Sequence, residues 1–359
     1  MDRRSFIKGS LAATVGTAIS SPAFARSFAG QSVTITVPFG VGGGNDLWGR
    51  FLAIFLQKYL PGNPVVIVKN VPGGGSVSGA NLFAATAKPD GLNILVSSGS
   101  TQFPFLLGEK RVKYDYSKLK FVLAGPTGGV AYISSKLGCA GLSELGKLNG
   151  TTLHFASQGI TSLDMVPLLG FRLLGLDVKH VIGFPGRGEG RLGFERGEFT
   201  IDYQTTTAYL RNSLPLVKRG EAIPLFAWGM IDKEGKLVRD PNFPVLPTIE
   251  EAYQIVHGKK PAGIEWDAFM SFLISGFPAQ KLLLLPDGTS PDIIEAYRKA
   301  IRDMRNDPEY LSKRDEMIGE YEQVTDLEGE TLFKQATHIS PEAREWVRDF
   351  LAKSYDAAL

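Results

Sequence analysis

A chain of 359 residues, 43% of them hydrophobic and 21% charged, has the composition of a folded protein with room for two α/β domains, and not that of a disordered or fibrous one. Its formal net charge of +2 falls to zero without residues 1–25, where Arg3, Arg4 and Lys8 outweigh Asp2, and a neutral chain lacks the basic footprint of a nucleic-acid binder. Cys139 is the only cysteine, which excludes an internal disulfide and a thiolate metal cluster.

Residues 1–25 read as an export leader. Arg3-Arg4 followed by Phe6 and Lys8 resembles a twin-arginine signal, and Ala23-Phe24-Ala25 offers an A-x-A cleavage site. The apolar run over 11–19 is too short to span a bilayer, and no later segment reaches the roughly 18 uninterrupted apolar residues that spanning needs. The expectation is a soluble periplasmic protein cleaved after Ala25.

Val33, Ile35 and Val37 alternate with Thr34 and Thr36, which predicts a strand that Pro38 ends. Gly40, Gly42, Gly43 and Gly44 form a loop, and a helix is predicted over 47–60, with Leu47, Phe51, Ile54, Phe55 and Tyr59 on one face. Asn45 or Asp46 stands at the N-cap, and Pro61-Gly62 stops the helix. Strand, glycine loop and helix N-terminus together make a place for an anion, because bare N–H groups and the helix dipole both face it. Neither nucleotide pattern fits. Counted from Gly40, Asn45 occupies the third glycine of G-x-G-x-x-G, and no lysine lies between Val33 and Lys58 to make a phosphate loop. A small anion without phosphates is favoured over a turn that only positions the helix.

A strand over 65–68 runs into a second glycine loop, 70–79, then a helix over 80–87, a Pro89-Asp90-Gly91 turn and a strand over 93–96. That strand opens into Ser97-Ser98-Gly99-Ser100-Thr101, a hydroxyl-rich loop. Three strand ends in succession thus carry glycine or serine loops, where parallel α/β sheets collect ligands. Strands over 119–124 and 130–134 flank a glycine-rich crossover at 125–129. Beyond it, strands over 152–156, 178–182, 199–203 and 224–228 alternate with helices over 163–174 and 190–196. They feed loops at 157–162, 183–189 and 205–207. An amphipathic helix over 292–306 and a helical tail carrying Trp346, Phe350 and Leu351 complete the chain. The division expected is 26–124 with 236–359 as one domain and 125–235 as the other.

Catalysis finds little support. His154, His180, His257 and His338 are scattered, no H-E-x-x-H occurs, and no serine sits in G-x-S-x-G. No cofactor or metal is expected.

Four stretches resemble the solute-binding receptors of tripartite tricarboxylate transporters, the Bug family. Pro38-Phe39 with Gly42-Gly43-Gly44-Asn45-Asp46 and Arg50 is similar to that family's first loop. Asn70 with Pro72-Gly73-Gly74-Gly75 and Gly79, then Pro89-Asp90-Gly91, is similar to its second, with Ser76 in place of a glycine. Arg196-Gly197-Glu198-Phe199-Thr200-Ile201-Asp202 resembles a late G-E-x-D element, and Pro247-Thr248-Ile249-Glu250-Glu251-Ala252 resembles P-T-x-x-E-A. The likeness runs from about residue 33 to 315, and Gly183-Phe184-Pro185-Gly186 departs from the family's P-Y-x-G.

The resemblance implies a type II periplasmic-binding-protein fold, two α/β domains joined by crossover strands with the ligand cleft between them. It implies a monomer that captures a small carboxylated solute and delivers it to integral-membrane permease subunits, with no nucleic acid involved. An exported α/β enzyme acting on a small anion, or a receptor for a sensor kinase, are the alternatives. The implied ligand contacts are Phe39, Gly42, Gly43, Gly44 and Asp46 in the first loop, Gly74, Gly75 and Ser76 in the second, and Ser98 and Ser100 in the third. By position, the second domain adds Ser157, Gln158, Thr161, Phe184, Gly186, Arg187 and Asp202.

Several of these residues carry two readings. Asp46 and Asp202 either face the ligand or brace a loop; Arg187 and Arg191 either grip a second carboxylate or stand in solvent; Phe39 and Phe184 either wall the cleft or fill a core. No Lys or Arg lies in residues 39–46 or 70–79. One carboxylate is therefore expected on neutral donors, the N–H groups of Gly43, Gly44 and Gly74 and the hydroxyls of Ser98, Ser157 and Thr161, with weak salt dependence.

Overall fold

The structure is a computed structural model that describes residues 27–232 and 236–355; the expected leader lies outside them. The alternating Val/Thr segment forms β1 (Ser32–Val37), and the glycine loop leads into α1 (Gly44–Tyr59). The helix begins one turn earlier than its apolar pattern predicts, and its N-cap is Gly43, not Asn45 or Asp46. Its buried face is Trp48, Phe51, Leu52, Phe55 and Leu56, while Ile54 points to solvent. Gly49 sets the closeness of the packing: a Cβ there would lie 3.3 Å from a Val96 methyl and 3.4 Å from one of Val37.

Next come β2 (Val65–Asn70), α2 (Val77–Thr86), β3 (Asn93–Ser97) and α3 (Gly99–Leu106). The hydroxyl-rich segment is thus less a loop than the first turn of α3, with Ser98 as N-cap accepting the Ser100 N–H at 3.2 Å. β4 (Lys120–Gly125) then crosses to β5 (Gly129–Ser134).

The second half contains β6 (Leu153–Ser157), α4 (Met165–Leu173), β7 (Val178–Ile182), α5 (Arg187–Glu195), β8 (Ile201–Thr205) and β9 (Ala222–Ala227). Three further helices, α6 (Ile249–His257), α7 (Ile264–Gly276) and α8 (Pro291–Arg305), surround a strand absent from the sequence pattern, β10 (Lys281–Leu285). The tail helix is α9 (Pro341–Tyr355). No helix among the described residues is long and apolar enough to cross a membrane.

The two halves repeat one plan. In the first sheet the order is β2-β1-β3-β10-β4, with β1 parallel to β2 and β3, and β10 antiparallel to both its neighbours. In the second, β5 runs antiparallel between β8 and β9, and β6 pairs in parallel with β7. The Thr200 N–H reaches the His154 carbonyl at 2.9 Å and lays β6 along the start of β8. Each domain thus receives one antiparallel strand beside a parallel set, an arrangement only two crossings of the chain produce. The second core draws on distant segments: Phe155, Phe171, Tyr203 and Trp228 pack with Phe103 of α3, Phe269 and Phe272 of α7 and Val347 of α9. Thr248 and Glu251 make a reciprocal capping box at the start of α6, which gives the P-T-x-x-E-A stretch a structural reason.

Candidate functional site

The first loop is held from beneath. Asp46 is 1% exposed and accepts from the Gly42 N–H at 2.8 Å, from Arg50 Nε at 3.0 Å and from Asn70 Nδ2 at 2.9 Å. Asn70 also donates to the Phe39 carbonyl at 3.0 Å and accepts from Arg50 Nη2 at 2.9 Å. Burial opposes ionisation of Asp46, but the hydrogen bonds from Arg50, Gly42 and Asn70 outweigh it and hold the carboxyl below its ordinary value. Five residues spread over two motifs thus form one brace for both glycine loops. In the second loop Gly73, Gly74 and Gly75 take φ of +136°, +58° and +69°, a backbone that L side chains rarely adopt. Ser76 follows at φ +100°, its hydroxyl bonded to Thr101 Oγ1 at 3.0 Å instead of to the cleft.

Between the two sheets lie adjoining cavities of about 540 and 250 Å³, which share Phe39, Ser100, Gln158 and Pro185 in their walls and make one cleft. The larger is bounded by Gly74, Gly75, Ser76, Thr161 and Phe184, the smaller by Gly42, Gly43, Gly44, Ser98, Gly186 and Arg187. The walls approach closely: a Cβ on Gly44 would lie 3.7 Å from Thr205 Oγ1, and one on Gly75 3.9 Å from the Gln158 carbonyl.

Asp46, Ser157 and Asp202 stand behind the wall. Ser157 is fully buried and accepts the Gly159 N–H, so its hydroxyl does not reach the cleft. Asp202 accepts from Tyr132 at 2.6 Å, from Gln204 and from Arg187. Arg187 borders the smaller cavity but directs its charge inward: its guanidinium pairs with Asp202 and Asp164, donates to the Ala156 carbonyl and lies between the Phe155 and Tyr203 rings at 4.7 and 4.6 Å. Arg191 pairs with Glu195. Thr161 lines the cleft, but its proton goes to Glu109 at 2.7 Å.

The smaller cavity concentrates positive potential. The N-caps of α1, α3 and α5, namely Gly43, Ser98 and Gly186, all line it. Three helix N-termini therefore aim positive dipole ends at one space, with the Ser100 N–H of α3 already taken by the Ser98 hydroxyl. Four buried polar atoms of its lining residues, Asn45 Oδ1, Arg187 Nε, Thr207 Oγ1 and Gln280 Oε1, have no partner among the described residues. Further cations reach the cleft from elsewhere in the chain, among them Arg111, Lys281 and, at the rim, Arg211. Arg111 lies over Gly74, its Nη1 3.2 Å from where a Cβ would sit, and pairs with Glu109. Lys281, the first residue of β10, lines the smaller cavity. The neutral donors expected of the glycine loops therefore have cations beside them in the cleft walls.

No family model matches the chain. It is 27% identical over 343 residues to the UPF0065 protein in the gbd 5' region of Cupriavidus necator, covering 88% of this chain and 89% of that one. A stretch of 100 residues, 28% of this chain and 29% of the relative, is 39% identical to protein BugT of Bordetella pertussis. Among solved structures, the periplasmic binding protein BugD superposes with a TM-score of 0.67 at 18% identity, over 89% of this chain and 97% of that one. MatC of Rhodopseudomonas palustris with bound malate gives 0.64 at 19%, over 90% and 98%.

Proposed function

We propose that this chain, a Bug-type receptor of the tripartite tricarboxylate transporter class, captures a small carboxylated solute between its two α/β domains. The convergence of three helix N-termini, Gly43, Ser98 and Gly186, on one cavity carries the reading, because that geometry favours an anion over a neutral or cationic ligand. Malate bound in the structurally similar MatC agrees with it. The smaller cavity seats the carboxylate, and the larger one beside Phe39 and Phe184 takes the remainder of the solute. Arg187, Asp202 and Asp46 hold the loops in place, without contacting the ligand.

We place the domain boundaries at 26–124 with 236–359 and at 125–235, with α6, α7 and α9 packed across on the second sheet. Export by the twin-arginine route, cleavage after Ala25, action as a periplasmic monomer and delivery to permease subunits complete the proposal. Titration calorimetry of the mature chain against succinate, L-malate, adipate and citrate tests it. One acid should saturate a single site without being turned over, and failure of every acid to bind, or turnover of one, would reject a receptor role for these ligands.

A further inference from the structure

Lys281 is out of place by the ordinary rules of burial. It opens β10, whose other four residues are leucines with no solvent exposure, and it is itself only 3% exposed. In register, Leu282 lies opposite Ser97 on β3 and Lys281 opposite Gly125 on β4. Lys281 therefore sits level with Ser98, at the end of the sheet where β1 and β3 deliver their loops.

No carboxylate among the described residues compensates it. The neighbouring strands present Ser97, Ser98 and Gly125, none of them titratable in the working range. Across the cavity α5 presents Arg187, Glu189 and Arg191, and Arg211 stands exposed at the rim. Arg187 is already neutralised by Asp164 and Asp202, and Arg191 by Glu195. Burial alone pushes the Lys281 ammonium down to about 8, with no neighbouring charge offsetting it. A buried charge persists when something pairs with it. The space beside this one is the cavity on which three helix N-termini converge.

We propose that Lys281 is the ionic anchor of the cleft, its ammonium meeting the same solute carboxylate that accepts from the N-termini of α1 and α3. The inference rests on the carboxylate-receptor reading and adds to it a charge, a proton and a pH dependence. In the empty protein the amine is half protonated near pH 8; a bound carboxylate favours the protonated form, so binding takes up a proton. The solute carboxylate stays ionised over this range, so affinity follows the protonated fraction of the free amine. With that amine near 8, the fraction falls about tenfold from pH 7 to pH 9, and the dissociation constant rises by about the same factor.

The test is calorimetric titration of succinate, L-malate, adipate and citrate into the wild type and Lys281→Met at pH 7, 8 and 9, each in two buffers of different ionisation heat. Met keeps nearly the volume of the side chain and removes the charge. Expected for the acid that binds tightest are an affinity about tenfold weaker at pH 9 than at pH 7 and uptake of about half a proton at pH 8. In Lys281→Met the affinity at pH 7 should be roughly ten- to a hundredfold weaker, as loss of one charge-assisted bond implies, and flat with pH. Wild-type affinity that does not change between pH 7 and 9, or Lys281→Met binding within twofold of wild type, overturns the anchor while leaving the receptor reading intact. If no acid binds the wild type, the receptor reading itself falls and takes the anchor with it.

Discussion

Removing the charge of Lys281 should make the empty protein more stable. The drop of its ammonium from the ordinary 10.5 to about 8 corresponds to about 3 kcal/mol, at about 1.4 kcal/mol per pH unit. Below pH 8 both the folded and the unfolded chain hold the proton, so the whole cost of burying the charge is present. Between pH 8 and 10.5 the folded protein gives up the proton while the unfolded chain keeps it, so stability rises with pH; above 10.5 the cost is gone. Lys281→Met, which fills the same volume without a charge, should therefore gain up to about 3 kcal/mol at pH 7 and lose that rise. Urea unfolding of ligand-free protein at pH 7 and pH 9.5 measures both. A variant no more stable than wild type at pH 7, with an unchanged pH slope, would refute the claim that this lysine is buried without a partner. The expected pattern trades stability of the empty state for charge in the cleft.

Asp46→Ala removes the acceptor of Gly42, Arg50 and Asn70 together and, with Arg50 about half exposed, should cost roughly 1–3 kcal/mol with loss of ligand binding; urea unfolding and titration measure the two losses. Because the Asp46 carboxyl is held below its ordinary value, its contribution is present above about pH 4 and lost as pH falls further, so the acid unfolding midpoint should move up in the variant. Arg187→Ala leaves Asp164 and Asp202 buried without their cation and should also cost roughly 3–5 kcal/mol, with Arg187→Lys a poor rescue because the planar stack between Phe155 and Tyr203 is lost; unfolding curves of the three proteins decide it. Replacing Arg3 and Arg4 with lysine should leave unprocessed precursor in the cytoplasm on cell fractionation, and normal maturation would point to the general secretory route.

The glycine loops, the strand before each and the helix after the first were legible because their signals are local: alternating Val and Thr, Pro38, and clustered glycines. Asp46 was harder. An acid beside a helix start reads as an N-cap, but this one sits within the first turn of α1, and only the fold shows it closing on Gly42 and Asn70. β10 escaped because a strand buried on both faces has no alternation, and four leucines in a row fit a helix as well as a strand. With β10 went Lys281, whose nearness to Ser98 depends on a strand crossing back from a remote part of the chain. Arg187 was found by position, but its cage of Asp164 and Asp202 comes from three separate elements that no spacing connects.

The cleft itself is tested most directly at Gly44, the first residue of α1, where a Cβ would face Thr205 Oγ1 at 3.7 Å across the smaller cavity. Its backbone is not in the left-handed region, so Gly44→Val fills the carboxylate's space without straining the helix start. Titration calorimetry at pH 7 should show the wild type saturating with one organic acid at roughly micromolar affinity, about −8 kcal/mol, and Gly44→Val binding none of them while unfolding as cooperatively as wild type. Undiminished binding by Gly44→Val would mean that the anion does not sit where the three helix N-termini converge.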